Sequence, residues 1–298
     1  MSLLSKGSQL EYLTAYREGK IKKGLGINAP LLDQHLLYKK KELTIFLGHD
    51  NVGKTYFLTF YALCLALLHG IKWCIWSGEN GHGQIYRDMI KMLSGRKFEE
   101  LDLSEIRFYS NYLEQFFDFV DNRDLYKPDQ LLTIFDKSGA DACLIDPFTG
   151  LDRGYQWSDN YVFLNEARHF INSTGISLYI NTHPVTSAGR STYPDNHTWA
   201  GHIKAPAKDE IEGGKAYINR CDNVCTIHRL TKHTEMKYYT LISVDKIKDQ
   251  DTGGEQTMKD SPILAEFNAG LGFKIGGVEP LRDIRKTIKP QGELWKTI

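Results

Sequence analysis

Short apolar runs and helical patterns alternate along most of the chain. From Leu43 onward, runs of consecutive apolar residues, typical of strands buried on both faces, are separated by segments with apolar residues at helical spacing. The strand-like segments are LTIFLG, KWCIWS, IRFYS, ACLID and ISLYINTH, and helical patterns follow Gly53, surround QIYRDMIKMLSG and include DQLLTIFDKSG and YVFLNEARHFINS. This alternation is typical of βαβ units. We therefore predict an α/β fold with a mostly parallel central sheet and helices on both faces.

The pattern changes near both ends of the chain. After Asp222, the segments NVCTIHRL, KYYTLISVDKIK and ILAEFNAGLGFKI are strand-like and separated by turn signals, which predicts antiparallel strands at the C-terminal end of the sheet. Residues 8–23 carry Leu10, Leu13 and Tyr16 at helical spacing among charged residues, an apolar stripe too narrow to bury itself. We divide the chain into an N-terminal linker or docking helix (1–23), one large domain (24–278) and a C-terminal tail (279–298).

Composition excludes several classes of protein. The chain has 298 residues, of which 41% are hydrophobic and 12% aromatic, unlike a disordered protein. Lys and Arg number 37, as do Asp and Glu, so no overall positive field attracts nucleic acid and any such surface must be local. The five cysteines are scattered and lack zinc-ligand spacing, which fits a reducing cytoplasm. Because no run of about 18 apolar residues occurs, we expect no membrane span.

The segment GHDNVGKT stands between a predicted buried strand and a predicted helix. It fits the pattern G-x-x-x-x-G-K-T of a phosphate-binding loop, whose glycines let successive backbone N–H groups point at phosphate. Lys54 is expected to reach the β and γ phosphates, and the Thr55 hydroxyl to ligate Mg²⁺. The predicted nucleotide-binding residues are Gly48, His49, Asp50, Asn51, Val52, Gly53, Lys54 and Thr55.

Three further polar residues stand at the ends of predicted strands. Asp146 ends ACLID, where ligands of open parallel sheets bind, and is expected to hold Mg²⁺ through water. Glu79 follows KWCIWS and could polarise the water that attacks the γ phosphate. His183 follows the strand ISLYINT and could sense the γ phosphate as a hydrogen-bond donor. Each has a structural alternative: an N-cap for Asp146, a loop carboxylate for Glu79 and a structural histidine for His183.

These four motifs, in this order, resemble the RecA-type ATPase core of ring-shaped replicative helicases, most closely the DnaB and Twinkle group. The resemblance runs from about Gly24 to Ile275 and includes KGLGINAPLLDQHLLYKKKELTIFLGHDNVGKT, WSGENGHGQIYRDMIKML and LIDPFTGL. NTHP is similar to the His-containing strand end of Twinkle-like and phage helicases. The resemblance implies a RecA-like P-loop NTPase core in residues 24–278, ATP as substrate with Mg²⁺, and hydrolysis at subunit interfaces of a hexameric ring. Relatives often carry a primase or helical N-terminal domain, and we expect neither within these 298 residues.

The resemblance also suggests residues at the far side of the site. KAPAKDEIEGGKAYINRCDNVCTIHR resembles a segment that in this family forms a DNA-facing loop and then a strand ending in Arg, here Arg229, expected at the nucleotide. A basic pair of the family reaches the neighbouring subunit's nucleotide, and VDKIKDQDTGG offers Lys246 and Lys248 in its place. Lys lacks the planar fork of Arg, so this trans-acting finger is expected to be weaker or to come from elsewhere.

Two loops are candidates for DNA contact. The segment between Thr186 and Asn219 is long and rich in glycine, and its basic residues are Arg190, Lys204, Lys208 and Lys215. Six copies in a ring would line a positive channel, although an ordinary solvated loop is the alternative. The second candidate, between Gly150 and Asn160, carries Arg153, Tyr155 and Trp157, whose aromatic rings could stack on bases or pack against a neighbouring subunit.

We therefore predict the motor domain of an ATP-dependent replicative DNA helicase that translocates on single-stranded DNA, in the cytoplasm of a bacterium or phage-infected host. The expected partners are single-stranded DNA, further copies of the chain in a ring, and a primase or a loader. One alternative is a RecA-type recombinase or RepA-like DNA-dependent ATPase without processive unwinding. Another is a nucleotide-controlled switch or assembly ATPase, because all of these bind ATP alike.

Overall fold

The structure is a computed structural model, which describes residues 7–21, 23–154, 156–258 and 260–290. Its strands are β1 (Leu43–Leu47), β2 (Trp73–Ser77), β3 (Phe117–Phe119), β4 (Ala142–Asp146), β5 (Ser177–Thr182), β6 (Asn223–His228), β7 (Tyr239–Ile247), β8 (Ile263–Phe267) and β9 (Phe273–Ile275). Its α-helical segments are α1 (Ser8–Arg17), α2 (Pro30–Asp33), α3 (Lys54–His69), α4 (His82–Ser94), α5 (Leu103–Leu113), α6 (Pro128–Lys137), α7 (Trp157–Thr174), α8 (Ala216–Arg220), α9 (Gln250–Gly253) and α10 (Ile284–Thr287).

The strands of the described residues form one sheet in the order β3-β2-β4-β5-β1-β6-β7-β8-β9. The first six strands in this order pair in parallel, and β1 lies between β5 and β6. Strands β6 to β9 pair antiparallel. Every residue of β1, β2, β4, β5 and β6 is buried, as expected for parallel strands covered on both faces. The predicted fold class, with antiparallel strands at the C-terminal end, is confirmed.

Hydrophobic cores lie on both faces of the sheet. One core combines the buried helix α3 with α4 and α5, against residues such as Phe46 and Tyr179. The other joins α6, α7 and α8 to the opposite face, against residues such as Ile45 and Ile180. Neighbouring strand residues point to opposite faces, which is why Ile45 and Phe46 belong to different cores. The sheet is therefore held rigid from both sides, and its strand ends keep fixed positions.

The segment IRFYS is the one predicted strand that is wrong. It lies inside α5, and the strand next to β2 is instead the short β3. The helix begins with a capping box, in which the Asp102 carboxylate accepts a hydrogen bond from the Glu105 backbone N–H at 2.8 Å and Glu105 accepts one from the Asp102 N–H at 3.0 Å. These paired bonds satisfy two backbone donors at the helix start, so the local signal in DLSE favours a helix over the apolar content of IRFYS.

Both ends of the described chain carry helices. In α1 the apolar side chains remain solvent-exposed, with Leu10 66% and Leu13 59% exposed. Near the other end, Arg285 of α10 donates hydrogen bonds to the backbone oxygens of Met92 and Leu271 and pairs with Glu279. These contacts attach α10 to helix α4 and to the β8–β9 turn. No helix within the described ranges is both long and apolar enough to cross a bilayer.

Candidate functional site

The site lies where four parallel strands end. The segment GHDNVGKT follows β1, Glu79 lies two residues after β2, Asp146 ends β4 and His183 follows β5. These strands are neighbours in the order β2-β4-β5-β1, and the carboxyl ends of parallel strands meet at one edge of a sheet. The fold therefore gathers at one edge residues that are widely separated along the chain.

The phosphate-binding loop depends on two glycines. A Cβ atom at Gly48 would lie 2.3 Å from the Ile227 backbone oxygen, so only glycine allows the loop to leave β1 directly against the end of β6. Gly53 has a φ of 87° immediately before α3, a conformation that L side chains rarely adopt. The loop therefore ends at the N-terminus of a long helix, whose positive dipole end and unpaired N–H groups favour phosphate.

Lys54 points back into the loop. Its ammonium group donates hydrogen bonds to the backbone oxygens of Gly48 and His49, both at 2.8 Å, and lies 3.3 Å from His183 Nδ1. Burial lowers the pKa of Lys54 to about 8, although the carboxylates of Asp50, Asp146 and Glu79 oppose this. The Lys54 ammonium group is therefore partly desolvated and lies against the phosphate-binding loop. The negative charge of a phosphate bound in this loop would offset the cost of burying the cation.

Asp146, Thr55 and Asn181 form a buried group of oxygen atoms. The Asp146 carboxylate accepts a hydrogen bond from the Asn181 amide. Burial raises the pKa of Asp146, with Glu79 adding to the effect, whereas the neighbouring Thr55 and Asn181 side chains oppose it. Asp146 Oδ2 and Asn181 Oδ1 have no hydrogen-bond partner among the described residues. Unpaired buried oxygens beside a threonine hydroxyl are the hard ligands that Mg²⁺ prefers, so this group fits the predicted Mg²⁺ site.

Glu79 lies in a turn that neighbouring residues support. The Ser77 hydroxyl accepts a hydrogen bond from the Asn80 backbone N–H at 3.2 Å. The Asn122 side-chain amide donates to the Ser77 backbone oxygen at 2.8 Å and to the Asn80 backbone oxygen at 3.3 Å. Asn122 therefore fastens the residues on both sides of Glu79, while the Glu79 side chain itself is exposed to the cavity.

His183 contacts two residues of the phosphate-binding loop. Its Nδ1 atom lies 2.7 Å from Asp50 Oδ1 and 3.3 Å from Lys54 Nζ. Burial, followed by the charge of Lys54, lowers the pKa of His183, so the ring is neutral at neutral pH. A neutral ring either donates through Nδ1 to Asp50 or accepts from Lys54, because one nitrogen cannot do both. His183 therefore links the end of β5 directly to the loop.

Most of these residues line one cavity of about 370 Å³, whose lining does not include Asp146. Its walls include seven predicted residues, namely Asp50, Asn51, Gly53, Lys54, Thr55, Glu79 and His183. Residues that were not predicted from the sequence also line it, namely Tyr56, Thr59, Asn80, Gln84, Ile85, Asp88 and Asn181. A signal for Asn181 was present, since a buried strand rarely carries an amide unless the amide has a partner.

The first predicted DNA-binding loop contacts the phosphate-binding loop, because His49 Nε2 lies 3.0 Å from the Lys204 backbone oxygen. Arg190 and Lys204 are exposed, and the segment between them is closed by a bridge between Thr192 and Ile203. The exposed residue Lys215 precedes α8. Lys208 instead donates a hydrogen bond to the Asp245 backbone oxygen at 3.0 Å.

The second predicted DNA loop is less available for contact. Arg153 donates to Asn160 Oδ1 at 3.1 Å and stacks over the Phe148 ring at 4.8 Å. Tyr155 lies outside the described residues, and Trp157 is the first residue of α7. The basic residue of this loop is therefore engaged within its own subunit.

Lys246 and Lys248 lie away from the cavity of their own subunit. The β6–β7 pairing aligns Lys246 with Val224, near the start of β6, whereas the phosphate-binding loop meets the end of β6. Lys246 donates to the backbone oxygens of Ile218 and Cys221, the latter at 2.7 Å. Lys248 is 66% exposed and lies 3.3 Å from Asp222 Oδ1. Only Lys248 of this pair therefore extends into solvent.

Arg229 lies just beyond β6. It donates to the Lys237 backbone oxygen at 2.8 Å and packs over the Phe267 ring at 5.2 Å. Burial lowers its pKa. The predicted nucleotide contact of Arg229 is not part of the cavity described above.

Comparison of sequences gives no match: no protein-family model matches the chain, and no curated protein matches it significantly. Solved structures do match it. The structure of an ATPase domain superposes with a TM-score of 0.71 at 12% identity, covering 93% of this chain and 100% of that one. A DnaB-like replicative helicase, solved in a study of its interactions with primase, gives 0.68 at 10% identity, covering 92% and 67%. A KaiC-like protein from Pyrococcus horikoshii gives 0.55 at 15% identity, covering 86% and 97%.

At these low identities the comparisons concern the fold. The chain has the fold of RecA-like ATPase domains, and the matching structures include an ATPase domain and a DnaB-like replicative helicase. The structural resemblance predicted from the four motifs is confirmed at this level.

Proposed function

We propose that the chain is the ATP-hydrolysing motor domain of a ring-forming replicative DNA helicase. One observation carries the proposal: on a RecA-like fold, a single cavity is lined by Lys54 and Thr55 of the phosphate-binding loop, by Glu79 and by His183. Hydrolysis of a nucleoside triphosphate requires a cationic loop that binds the phosphates and oxygen ligands that hold a metal ion. It also requires a carboxylate near the attacking water and a hydrogen-bond donor near the γ phosphate.

Each of the five predicted catalytic and metal-binding residues of this site has a proposed role. The loop N–H groups and Lys54 bind the phosphates, and Lys54 moves from its carbonyl partners to the transferred γ phosphate. Thr55 and Asp146 hold Mg²⁺, which when bound would neutralise phosphate charge. Glu79 accepts the proton of the attacking water, in a turn held by Asn122. His183, next to the loop, donates a hydrogen bond to the γ phosphate.

Assembly into a ring is the second element of the proposal. Lys248 is the exposed member of its pair, and supports the neighbouring subunit's nucleotide as a trans-acting cation. Lys246, held by two carbonyls, positions the strand from which Lys248 extends. Helix α1, in residues 1–23, docks its exposed apolar side chains on a neighbour. Arg229 contacts the nucleotide from the end of β6.

DNA and protein partners complete the proposal. The exposed residues Arg190, Lys204 and Lys215 contact the phosphates of single-stranded DNA without reading its sequence. Lys208 and Arg153, whose side chains donate to Asp245 and Asn160, are the further candidates for this contact. A primase is a candidate partner, because one matching structure comes from a study of a helicase with primase. A cytoplasmic location in a bacterium or phage-infected host fits these activities.

A DNA-dependent or switching ATPase without unwinding is the second candidate, because the KaiC-like match shows that this fold is not restricted to helicases. Turnover of ATP, measured with and without single-stranded DNA, tests the proposal. We expect Mg²⁺-dependent turnover that DNA stimulates, and a loss of at least about a hundredfold in Lys54→Ala, which lacks the main cation at the transferred phosphate. Glu79→Gln should still bind ATP. Equal turnover by wild type and Lys54→Ala would exclude this active site, and turnover insensitive to DNA would favour the second candidate.

A further inference from the structure

Two histidines hold consecutive carbonyl groups of the candidate DNA-binding loop. His49, in the phosphate-binding loop, places Nε2 3.0 Å from the Lys204 backbone oxygen. His228, the last residue of β6, places Nε2 2.9 Å from the Ile203 backbone oxygen. The two rings meet edge to face, with centroids 5.7 Å apart. We call His49, His228 and the two carbonyls they hold the histidine clamp.

The clamp is joined tightly to the phosphate-binding loop. His49 belongs to that loop, and its neighbour Gly48 lies so close to the Ile227 backbone oxygen that a Cβ atom would clash at 2.3 Å. The parallel pairing of β1 with β6 continues to Leu47 and Thr226, just before both histidines. A displacement of the loop by phosphate is therefore transmitted to His49 directly, and to His228 through backbone contact.

On its other side the clamp holds a hairpin-like segment, residues 190–204. The Lys204 backbone N–H donates to the Ser191 oxygen at 2.8 Å, and the Tyr193 N–H donates to the His202 oxygen at 2.9 Å. These bonds make the segment move as a unit. Its ends carry Arg190 and Lys204, both exposed and both candidates for contact with DNA phosphates.

The chemistry of His228 suits a permanent link. The side chain is 2% exposed, and burial lowers its pKa to about 4, so the ring is neutral at neutral pH. Its Nδ1 atom has no partner among the described residues, which leaves Nε2 as the N–H donor toward the Ile203 oxygen. The link therefore persists through the physiological pH range.

We infer that the histidine clamp couples the nucleotide site to single-stranded DNA by moving the 190–204 segment with the phosphate-binding loop. His49 acts as a positioning residue, through its side chain, in addition to the phosphate contact of its backbone. The inference rests on the proposed function, since it requires that the chain bind both ligands. Such coupling is reciprocal: nucleotide must raise the affinity for DNA by the same factor by which DNA raises the affinity for nucleotide.

The test is a thermodynamic cycle on the full chain, with a fluorescent oligothymidylate and a non-hydrolysable ATP analogue. Affinity for the oligonucleotide is measured without the analogue and with saturating analogue, and the ratio is the coupling factor. We compare the wild type, His49→Ala, and His49→Gln, whose amide nitrogen can replace Nε2 as donor. His202→Ala is the matched control, because this histidine belongs to the same segment but contacts His233 instead of the clamp. Thermal unfolding checks that each variant is folded.

We expect a coupling factor of roughly five- to 150-fold in the wild type, which is the usual range for linked sites. It should fall clearly in His49→Ala, in which only the His228 link remains, be largely restored in His49→Gln and stay unchanged in His202→Ala. A factor in His49→Ala equal to that of the wild type would overturn the inference and leave the proposed function intact. Binding of the analogue without any binding of DNA by the wild type would overturn both.

Discussion

Replacing His228 by Gln should change how the stability of the protein depends on pH. Gln can still donate a hydrogen bond toward the Ile203 backbone oxygen, but it does not titrate. His228 does, and burial places its pKa at about 4 in the folded state, against 6.5 for an ordinary histidine. The folded pKa is therefore the lower of the two, so between these values the unfolded chain binds more protons. The contribution of His228 is complete above pH 6.5 and is lost as the pH falls toward 4.

The magnitude follows from the two pKa values. One pKa unit corresponds to about 1.4 kcal/mol, so the wild type should lose about 2 kcal/mol of unfolding free energy between pH 7.5 and pH 5 through this residue alone. The loss should approach about 3 kcal/mol below pH 4. Buried acids such as Asp146 and Asp245, whose pKa values are raised, act in the opposite direction in both proteins and cancel in the comparison.

Urea unfolding followed by fluorescence, at several pH values from 5 to 7.5, measures this difference. The unfolding free energy of the wild type should fall relative to that of His228→Gln as the pH decreases. The unfolding free energies of the wild type and His228→Gln could instead differ by the same amount at every pH. In that case His228 is not a neutral buried imidazole, and the assignment of its Nε2–H as the donor to the Ile203 oxygen is wrong.

Three further predictions follow from the contacts described. Gly48→Ala should destabilise the protein by about 1–3 kcal/mol and weaken nucleotide binding, because the new Cβ would meet the Ile227 oxygen at 2.3 Å; thermal unfolding and a fluorescent nucleotide measure both, and unchanged values would contradict the close approach. Arg190→Ala with Lys204→Ala should weaken binding of all single-stranded sequences alike and reduce the salt dependence of log K by a slope of roughly 0.7 per lost phosphate contact; an unaltered slope would move the DNA surface elsewhere. Specific ATPase activity should rise with protein concentration and Lys248→Ala should remove most of that rise, whereas activity independent of concentration would exclude a trans-acting role.

Strands buried on both faces could be predicted from the sequence because their signal is local. The signal is a mostly apolar run in LTIFL, WCIWS, ACLID and SLYINT, and each of these runs forms a strand without an exposed residue. IRFYS has a similar apolar content but follows the capping box of Asp102 and Glu105, and helix initiation prevails there. Composition alone could not separate these cases, because a short apolar run suits a strand and a buried helix equally.

The site was predictable only as far as its residues belong to a motif. Lys54, Thr55, Glu79 and His183 were named from strand ends and loop spacing, and they line one cavity. Asn181 was missed because its importance depends on Asp146, a residue of the neighbouring strand.

The histidine clamp and the support that Asn122 gives to the Glu79 turn could not be predicted from the sequence. His49, His228 and Lys204 lie far apart in the chain, as do Asn122 and Ser77. The residues of each set come together only in the folded sheet, so no local sequence pattern predicts their contacts.

The most direct test of the central claim is strand displacement from a forked DNA duplex, with wild type and Glu79→Gln measured in parallel. We predict that the wild type, with ATP and Mg²⁺, releases the displaced strand. Glu79→Gln should bind ATP and the fork but release nothing, since its amide cannot accept the proton of the attacking water. If the wild type hydrolyses ATP but displaces no strand under any condition in which it binds the fork, the helicase assignment is contradicted. Displacement by Glu79→Gln at the wild-type rate would contradict the assigned catalytic site.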